Sequence, residues 1–237
     1  MKNKICLIIP CFNEEHRLDL SSFENHKDED VSFVFVNDGS TDGTLRLLNE
    51  HSSRKIMVHS LERNSGKAEA VRQGMLFAEP DPALKDVEWF GFWDADLATP
   101  LNELGNLLSY RDAFYKDSVA VFGSRISRLG GHIRRSALRH LVGRFFATVF
   151  RLVFKVESYD SQCGAKIFKR SCVKQAFSET FLSRWIFDVE IMIRLKGLEM
   201  VEYPLREWAD VGGSKVMSFR SIIIITRDIF RLWKKYG

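Results

Sequence analysis

Cysteine is sparse in this chain, and none of its four cysteines has a partner at metal-binding spacing. Cys6, Cys11, Cys163 and Cys172 form no C-x-x-C or Cys/His pattern, which excludes a zinc ribbon or finger and leaves reduced, partly buried thiols in a cytoplasmic protein as the expectation. Long apolar runs are absent too. The densest, Ile222 to Ile225, is stopped by Thr226, Arg227 and Asp228, far short of the ~20 residues that span a bilayer. The apolar run before Pro10 is too short for a signal-peptide core, so the chain is expected to stay unexported and any membrane association to be peripheral. Internal repeats, low-complexity tracts and linkers are missing, which leaves one folded domain for a chain of 237 residues with 45% apolar content. Acidic residues are missing between Ser118 and Val156, where Arg125, Arg128, Arg134, Arg135, Arg139, Arg144, Arg151 and Lys155 all fall. With a net charge of only +4, the rest of the chain is correspondingly acidic. Such a block suits nucleic acid, anionic lipid or a phosphorylated substrate, and no helix-turn-helix, zinc or RNA-recognition signature accompanies it to favour the first.

What is present is an alternation of apolar strands and helical repeats. Ile5 to Ile9, Val31 to Val36, Ile56 to His59 and Trp89 to Trp93 read as buried parallel strands. Helical spacing follows at Leu45, Leu47 and Leu48, and again through Ala68, Val71 and Met75. A helix from Leu101 to Tyr110, a strand from Val119 to Phe122 and a mixed final stretch complete the pattern. This order predicts an α/β fold with a mixed, mainly parallel sheet, whose ligand site lies beyond the carboxyl ends of the strands.

The sharpest chemical signal is Asp94-Ala95-Asp96, directly after an apolar strand. In an extended strand end, carboxylates two apart point the same way and reach one hard cation, which would neutralise charge on a diphosphate leaving group. Surface aspartates in a turn are the plainer reading of the same triplet. Asn37-Asp38-Gly39-Ser40-Thr41-Asp42 sits at a neighbouring strand end and leads into a helix N-terminus suited to anions. Asn64-Ser65-Gly66-Lys67 lacks P-loop spacing, which argues against a nucleotide hydrolase or kinase.

Ile9-Pro10-Cys11-Phe12-Asn13-Glu14, Val36 to Asp42, Asn64-x-Gly66-Lys67 and Asp94-Ala95-Asp96, in that order, resemble the family 2 glycosyltransferases of GT-A fold, the Rossmann-like nucleotide-diphospho-sugar transferases. Asp160-Ser161-Gln162-Cys163-Gly164-Ala165-Lys166 and Arg184-Trp185-x-Phe187-Asp188-Val189-Glu190 are similar to the branch that glycosylates polyprenyl phosphates, especially dolichyl-phosphate glucosyltransferases. The resemblance runs to about Lys215 and implies a single domain over residues 1–215, followed by a C-terminal amphipathic, basic helix over 216–237. It implies that Pro10, Asn13, Glu14, Asp38, Gly39, Ser40, Asn64, Lys67 and Asp94 bind the donor, with Asp38 on the base. Asp94 and Asp96 would hold Mg²⁺ or Mn²⁺, and Asp96, Asp160, Arg184 and Asp188, with Trp185 beside them, would form the catalytic set. Where mannosyl-transferring relatives carry a glutamine after the Asp-x-Asp, Leu97 and Ala98 stand here, which leans towards a glucosyl donor and UDP.

The acceptor the resemblance implies is a polyprenyl or dolichyl phosphate, whose oxygen is already anionic near neutral pH and needs no strong base, its second pKa lying near ~6. Inverting transfer then requires cations between two anions, and Arg125, Arg135 and Arg139 fit that need. Gly143 stands where related mannosyl enzymes place a phosphate-touching serine. Were the acceptor a neutral hydroxyl, Asp160 would be a candidate base. Leu138, Leu141, Val142, Phe145, Phe146, Val149, Leu152 and Val153 share one helical face, with His140, Arg144, Arg151 and Lys155 opposite. That face suits either an ordinary core or the cytoplasmic surface of a membrane, and a membrane-protein partner is compatible with it. Three alternatives stand beside the main reading: transfer to a polysaccharide or glycolipid hydroxyl, a GDP-mannose-using polyprenyl-phosphate mannosyltransferase, and a catalytically silent nucleotide-sugar-binding module.

Overall fold

The computed structural model describes residues 4–211 and 219–237. Its elements begin with β1 (Ile5–Cys11), α1 (Leu20–Glu24), β2 (Val31–Asp38), α2 (Thr44–Glu50), β3 (Ile56–Leu61), α3 (Lys67–Ala78), β4 (Trp89–Trp93) and α4 (Asn102–Phe114). They continue with β5 (Ala120–Ser124), β6 (His132–Arg134), α5 (Ala137–Phe154), β7 (Ala165–Lys169), α6 (Arg170–Phe177), α7 (Phe187–Arg194), β8 (Met200–Pro204), β9 (Glu207–Ala209) and α8 (Phe219–Tyr236). The first three strands run two residues past their apolar runs, and β4 spans the predicted residues. The chain groups into two compact units, residues 1–97 with 164–180 and residues 98–163 with 181–237. The expected division at residue 215 lies outside the described residues.

In the first unit the strand order is β3-β2-β1-β4-β7. The first four strands are parallel, and β7 is antiparallel to β4. Ile8 lies opposite Val34 on one side and Phe92 on the other, so β1 is central and buried on both faces. That is why these strands read as continuous apolar runs rather than alternating ones. Phe23 of α1 meets Phe33 and Phe35 edge-on at centroid distances of 5.2 and 5.0 Å. Each such ring contributes roughly 1.5–3 kcal/mol on burial, and the edge-to-face geometry adds about 0.5–1.5 kcal/mol. Because strand order reverses direction between β1 and β4, a crevice opens beyond their carboxyl ends, where Cys11, Asp38 and Trp93 finish their strands.

In the second unit β5 pairs with β8 and β6 with β9, both in parallel. Two buried carboxylates join its elements. Glu103 of α4 accepts the Arg206 amide at 3.0 Å. Glu190 of α7, fully buried, accepts from Arg194 at 2.8 Å, from the Leu182 amide at 2.8 Å and from the Tyr236 hydroxyl at 3.1 Å, which ties α8 to α7. Buried charge is tolerated here because each carboxylate is matched by donors.

Candidate active site

At the carboxyl ends of β1, β2 and β4 the first unit holds a cavity of about 360 Å³. Its lining includes Pro10, Glu14, Asp38, Asn64, Lys67, Asp94 and Asp96, seven of the residues expected at the donor and metal site. Cys11, Phe12, Gly66 and Ala95 line it as well. Asn13, Gly39 and Ser40 lie outside this lining, in the loops that follow β1 and β2. The Asn13 amide donates to Ser40 Oγ at 3.0 Å, and Asn13 Oδ1 accepts from the Thr41 amide at 2.9 Å, so the β1 and β2 loops are clipped together. Asn13 takes a left-handed φ of 55° to do this, a conformation that asparagine tolerates. Gly39 has φ 63° and packs directly on the Arg63–Asn64 backbone, so no side chain fits there.

Asp38 is buried, with both carboxylate oxygens engaged: Oδ1 accepts the Ser65 amide at 2.7 Å and Oδ2 the Gly66 amide at 2.8 Å. It ties β2 to the turn that opens α3 and presents Lys67. The expected anion-ready N-terminus of α2 is already capped, because Glu15 accepts the Gly43 amide at 2.9 Å and Asp42 the Thr44 amide at 3.0 Å. Asp42 is a local cap of the kind the 40–43 segment suggests, whereas Glu15 reaches Gly43 across 28 residues, a pairing that motif order does not reveal.

The Asp-x-Asp geometry differs from the extended strand end read from the sequence. β4 stops at Trp93, and Ala95 and Asp96 form a turn closed by the Leu97 amide donating to the Asp94 carbonyl at 3.2 Å. Leu97 adopts φ 51°, a strained value for a branched side chain. The turn, not strand alternation, brings half-buried Asp94 and exposed Asp96 to the same cavity. Asp94 is ion-paired with the Lys67 ammonium, and its amide donates to the Gly164 carbonyl at 3.1 Å. A Cβ at Gly164 would fall on the Asp94 carboxylate, so glycine is required for that side chain to lie where it does. Burial pushes the Glu14 carboxyl above its ordinary range; Arg17 opposes this, and Asp96 and Asp42 add to it. The cavity thus concentrates carboxylates around one lysine. Among the described residues no three side chains enclose a metal by themselves. Two carboxylates leaving open positions for phosphate oxygens and water is the donor set that suits a hard divalent cation carried with a diphosphate.

The second unit gathers two of the three expected acceptor arginines, Arg125 and Arg135, around Asp160. Its carboxylate accepts from Arg125 Nε at 2.6 Å, Arg125 Nη2 at 2.7 Å and the Arg125 amide at 3.0 Å, with Arg135 Nη1 at 3.8 Å. Burial alone would raise its pKa, but the two arginines outweigh that and hold it at about 2. Such a carboxylate is a poor general base, and its geometry is that of a residue that orients Arg125. Arg135, whose own pKa is lowered by burial and then by Arg125, fills the space beside Gly143 where a Cβ would strike its guanidinium. Arg139 pairs with Asp210 rather than Asp160. Arg184 and Trp185 are exposed, and Asp188 is buried in the first turn of α7. The 183–186 loop is set by Ser183, which accepts the Trp185 and Ile186 amides at 3.1 and 3.0 Å and donates to buried Asp228 at 2.7 Å. Neither Ser183 nor Asp228 stands out in the sequence, since their pairing spans 45 residues.

A crevice at the switch point of a mainly parallel sheet, with an Asp-x-Asp turn at its edge, defines the GT-A glycosyltransferase fold. The chain belongs to glycosyl transferase family 2, whose model matches residues 6–177. It is 31% identical to dolichyl-phosphate beta-glucosyltransferase of Drosophila melanogaster, covering 98% of this chain and 75% of that protein. Identity is 30% to the Saccharomyces cerevisiae enzyme of that name, covering 95% and 72%, and 28% to the Homo sapiens one, covering 98% and 76%. Glucosyl-3-phosphoglycerate synthase from Mycobacterium tuberculosis, solved with Mn²⁺, UDP and glucosyl-3-phosphoglycerate, shares the fold with a TM-score of 0.65 at 16% identity, covering 99% of this chain and 80% of that one.

Proposed function

We propose that this glycosyltransferase moves glucose from UDP-glucose to a dolichyl or other polyprenyl phosphate, inverting the anomeric carbon. The relatives' names supply the glucosyl group, the lipid phosphate and the β product. A β product from an α-linked nucleotide sugar requires an odd number of displacements, and one in-line attack is the simplest route. The observation that carries the reading within this chain is Asp160, held near pKa 2 by Arg125. A site that uses this carboxylate to orient an arginine, not to take a proton, suits an acceptor that is already an anion. The same observation argues against a neutral polysaccharide hydroxyl.

In this reading the 38–67 loops and Lys67 hold the nucleoside diphosphate, while Asp94 and Asp96 hold Mg²⁺ or Mn²⁺. When bound, the cation neutralises charge on the departing diphosphate. Arg125 and Arg135 hold the acceptor phosphate and offset its charge. Arg139, Arg184 and Asp188 complete the proposed set.

The lipid acceptor requires a bilayer. Among the described residues no helix is long and apolar enough to cross one. α5 buries Ala147, Phe150 and Phe154 but exposes Leu138, Leu141, Phe145 and Leu152 on its opposite side. α8 likewise buries Ile225 and Leu232 and exposes Ile223, Phe230 and Trp233. Helices apolar on two sides, with arginines and lysines between, suit docking on the anionic cytoplasmic face of a membrane. The test compares dolichyl phosphate with dolichol as acceptor for UDP-[¹⁴C]glucose. Label entering the organic phase only with the phosphate supports the reading, and equal transfer to dolichol contradicts it.

A further inference from the structure

The loop that carries Asp160 has no regular structure, yet one side chain fixes three consecutive residues of it. Glu202, in the middle of β8, accepts from Ser158 Oγ at 2.7 Å, from the Tyr159 amide at 2.8 Å and from the Asp160 amide at 2.8 Å. Ser158 and Asp160 share Oε1, and Tyr159 takes Oε2, so both oxygens are committed. Arg144 clamps the other side of the same peptide unit: its Nη1 donates to the Tyr159 carbonyl at 2.8 Å, and its guanidinium lies 3.8 Å from the Tyr159 ring centroid. With its amide held this way, Asp160 aims its carboxylate at Arg125.

Both ends of this linkage rest on one ladder. Glu202 lies opposite Phe122 in the β5–β8 register, and Arg125 follows the last residue of β5 directly, where the Leu205 amide donates to the Ser124 carbonyl at 2.9 Å. The distance between the Glu202 and Arg125 backbones is therefore fixed by strand pairing, and the 158–160 loop bridges it. We propose that Glu202 is a positioning residue for the Asp160–Arg125 pair, holding the guanidinium in the orientation that transfer uses. Its kinetic consequence rests on the reading that Arg125 faces the acceptor phosphate; the positioning itself does not.

A glutamine at 202 keeps the volume but offers one acceptor oxygen and turns an NH₂ towards a backbone amide, so at least one of the three bonds is lost. The test is ¹⁵N NMR of arginine Nε–H groups, with the Arg125 signal identified by its absence in Arg125→Lys. In the wild type, hydrogen bonding to Asp160 slows exchange of this proton. In Glu202→Gln, protection falls about tenfold or more, the equivalent of losing one charge-assisted hydrogen bond. Ser158→Ala, which removes one of the three donors and leaves both amides bonded, shows a smaller loss and serves if the first variant does not fold. Protection unchanged from wild type in the folded variant overturns the proposal. Steady-state kinetics separate the two readings. A raised KM for dolichyl phosphate with an unchanged KM for UDP-glucose, and no further effect in an Arg125→Ala background, supports both. Lost protection with an unchanged acceptor KM keeps Glu202 as the positioning residue and removes the phosphate from Arg125.

Discussion

The Lys67 ammonium is paired with the carboxylate of Asp94, across the mouth of the cavity that β1, β2 and β4 form. Both side chains remain a third or more exposed, so the pair adds less than about 1 kcal/mol to folding. In the proposed function its value lies in charge supplied to the donor diphosphate. Lys67→Met therefore leaves the melting temperature nearly unchanged and raises the KM for UDP-glucose about tenfold, as expected for one lost charge-assisted contact. Parallel melts and donor titrations check this.

Gly164 gives a second handle on Asp94. Because a Cβ at this position overlaps the carboxylate, Gly164→Ala forces Asp94 out of its rotamer. The Mn²⁺ concentration for half-maximal activity then rises about tenfold or more, in the range seen when the support of a metal ligand is removed. A metal titration of the variant alongside Asp94→Ala measures it.

Asp160 predicts a pH dependence of stability. Its pKa falls from an ordinary 3.8 to about 2 on folding, so its contribution is fully present above pH 4 and is lost as pH falls towards 2. The shift corresponds to about 2 kcal/mol. Urea unfolding of wild type and Asp160→Asn is expected to differ most above pH 4, with the two curves converging by pH 2.

On α5, Leu141 and Phe145 are exposed, apart from the side that buries Ala147, Phe150 and Phe154. Replacing both with glutamate weakens sedimentation with phosphatidylserine-containing vesicles about tenfold or more, given roughly 1.5–3 kcal/mol per buried apolar side chain. The melting temperature should stay within a degree or two of wild type if these residues face lipid and not core.

The strands of the first unit were legible because burial on both faces leaves uninterrupted apolar runs, as in Trp89 to Trp93. The cavity was legible for a related reason: parallel strands put Pro10, Asp38 and Asp94 at one edge of the sheet. What the sequence could not disclose was long-range pairing. Asn13 and Ser40 read as donor ligands, and nothing local showed that they also clip the β1 and β2 loops together across 27 residues. Asp160 read as a candidate base for a neutral hydroxyl acceptor, with nothing local to mark its pairing with Arg125, 35 residues away. Glu202 looked like one charge in a short strand, with nothing local to mark its three partners. On α5 the helical period was clear, but periodicity does not say which apolar side faces the core.

The measurement that tests the central claim most directly is sugar transfer by the purified protein to a polyprenyl phosphate from a panel of UDP- and GDP-sugars, with Mn²⁺ or with EDTA, read by mass spectrometry beside Asp96→Ala. The account predicts a polyprenyl-phospho-glucose formed from UDP-glucose, dependent on the metal and reduced at least about a hundredfold in the variant. Donor hydrolysis without a lipid product, or equal product from Asp96→Ala, would contradict it.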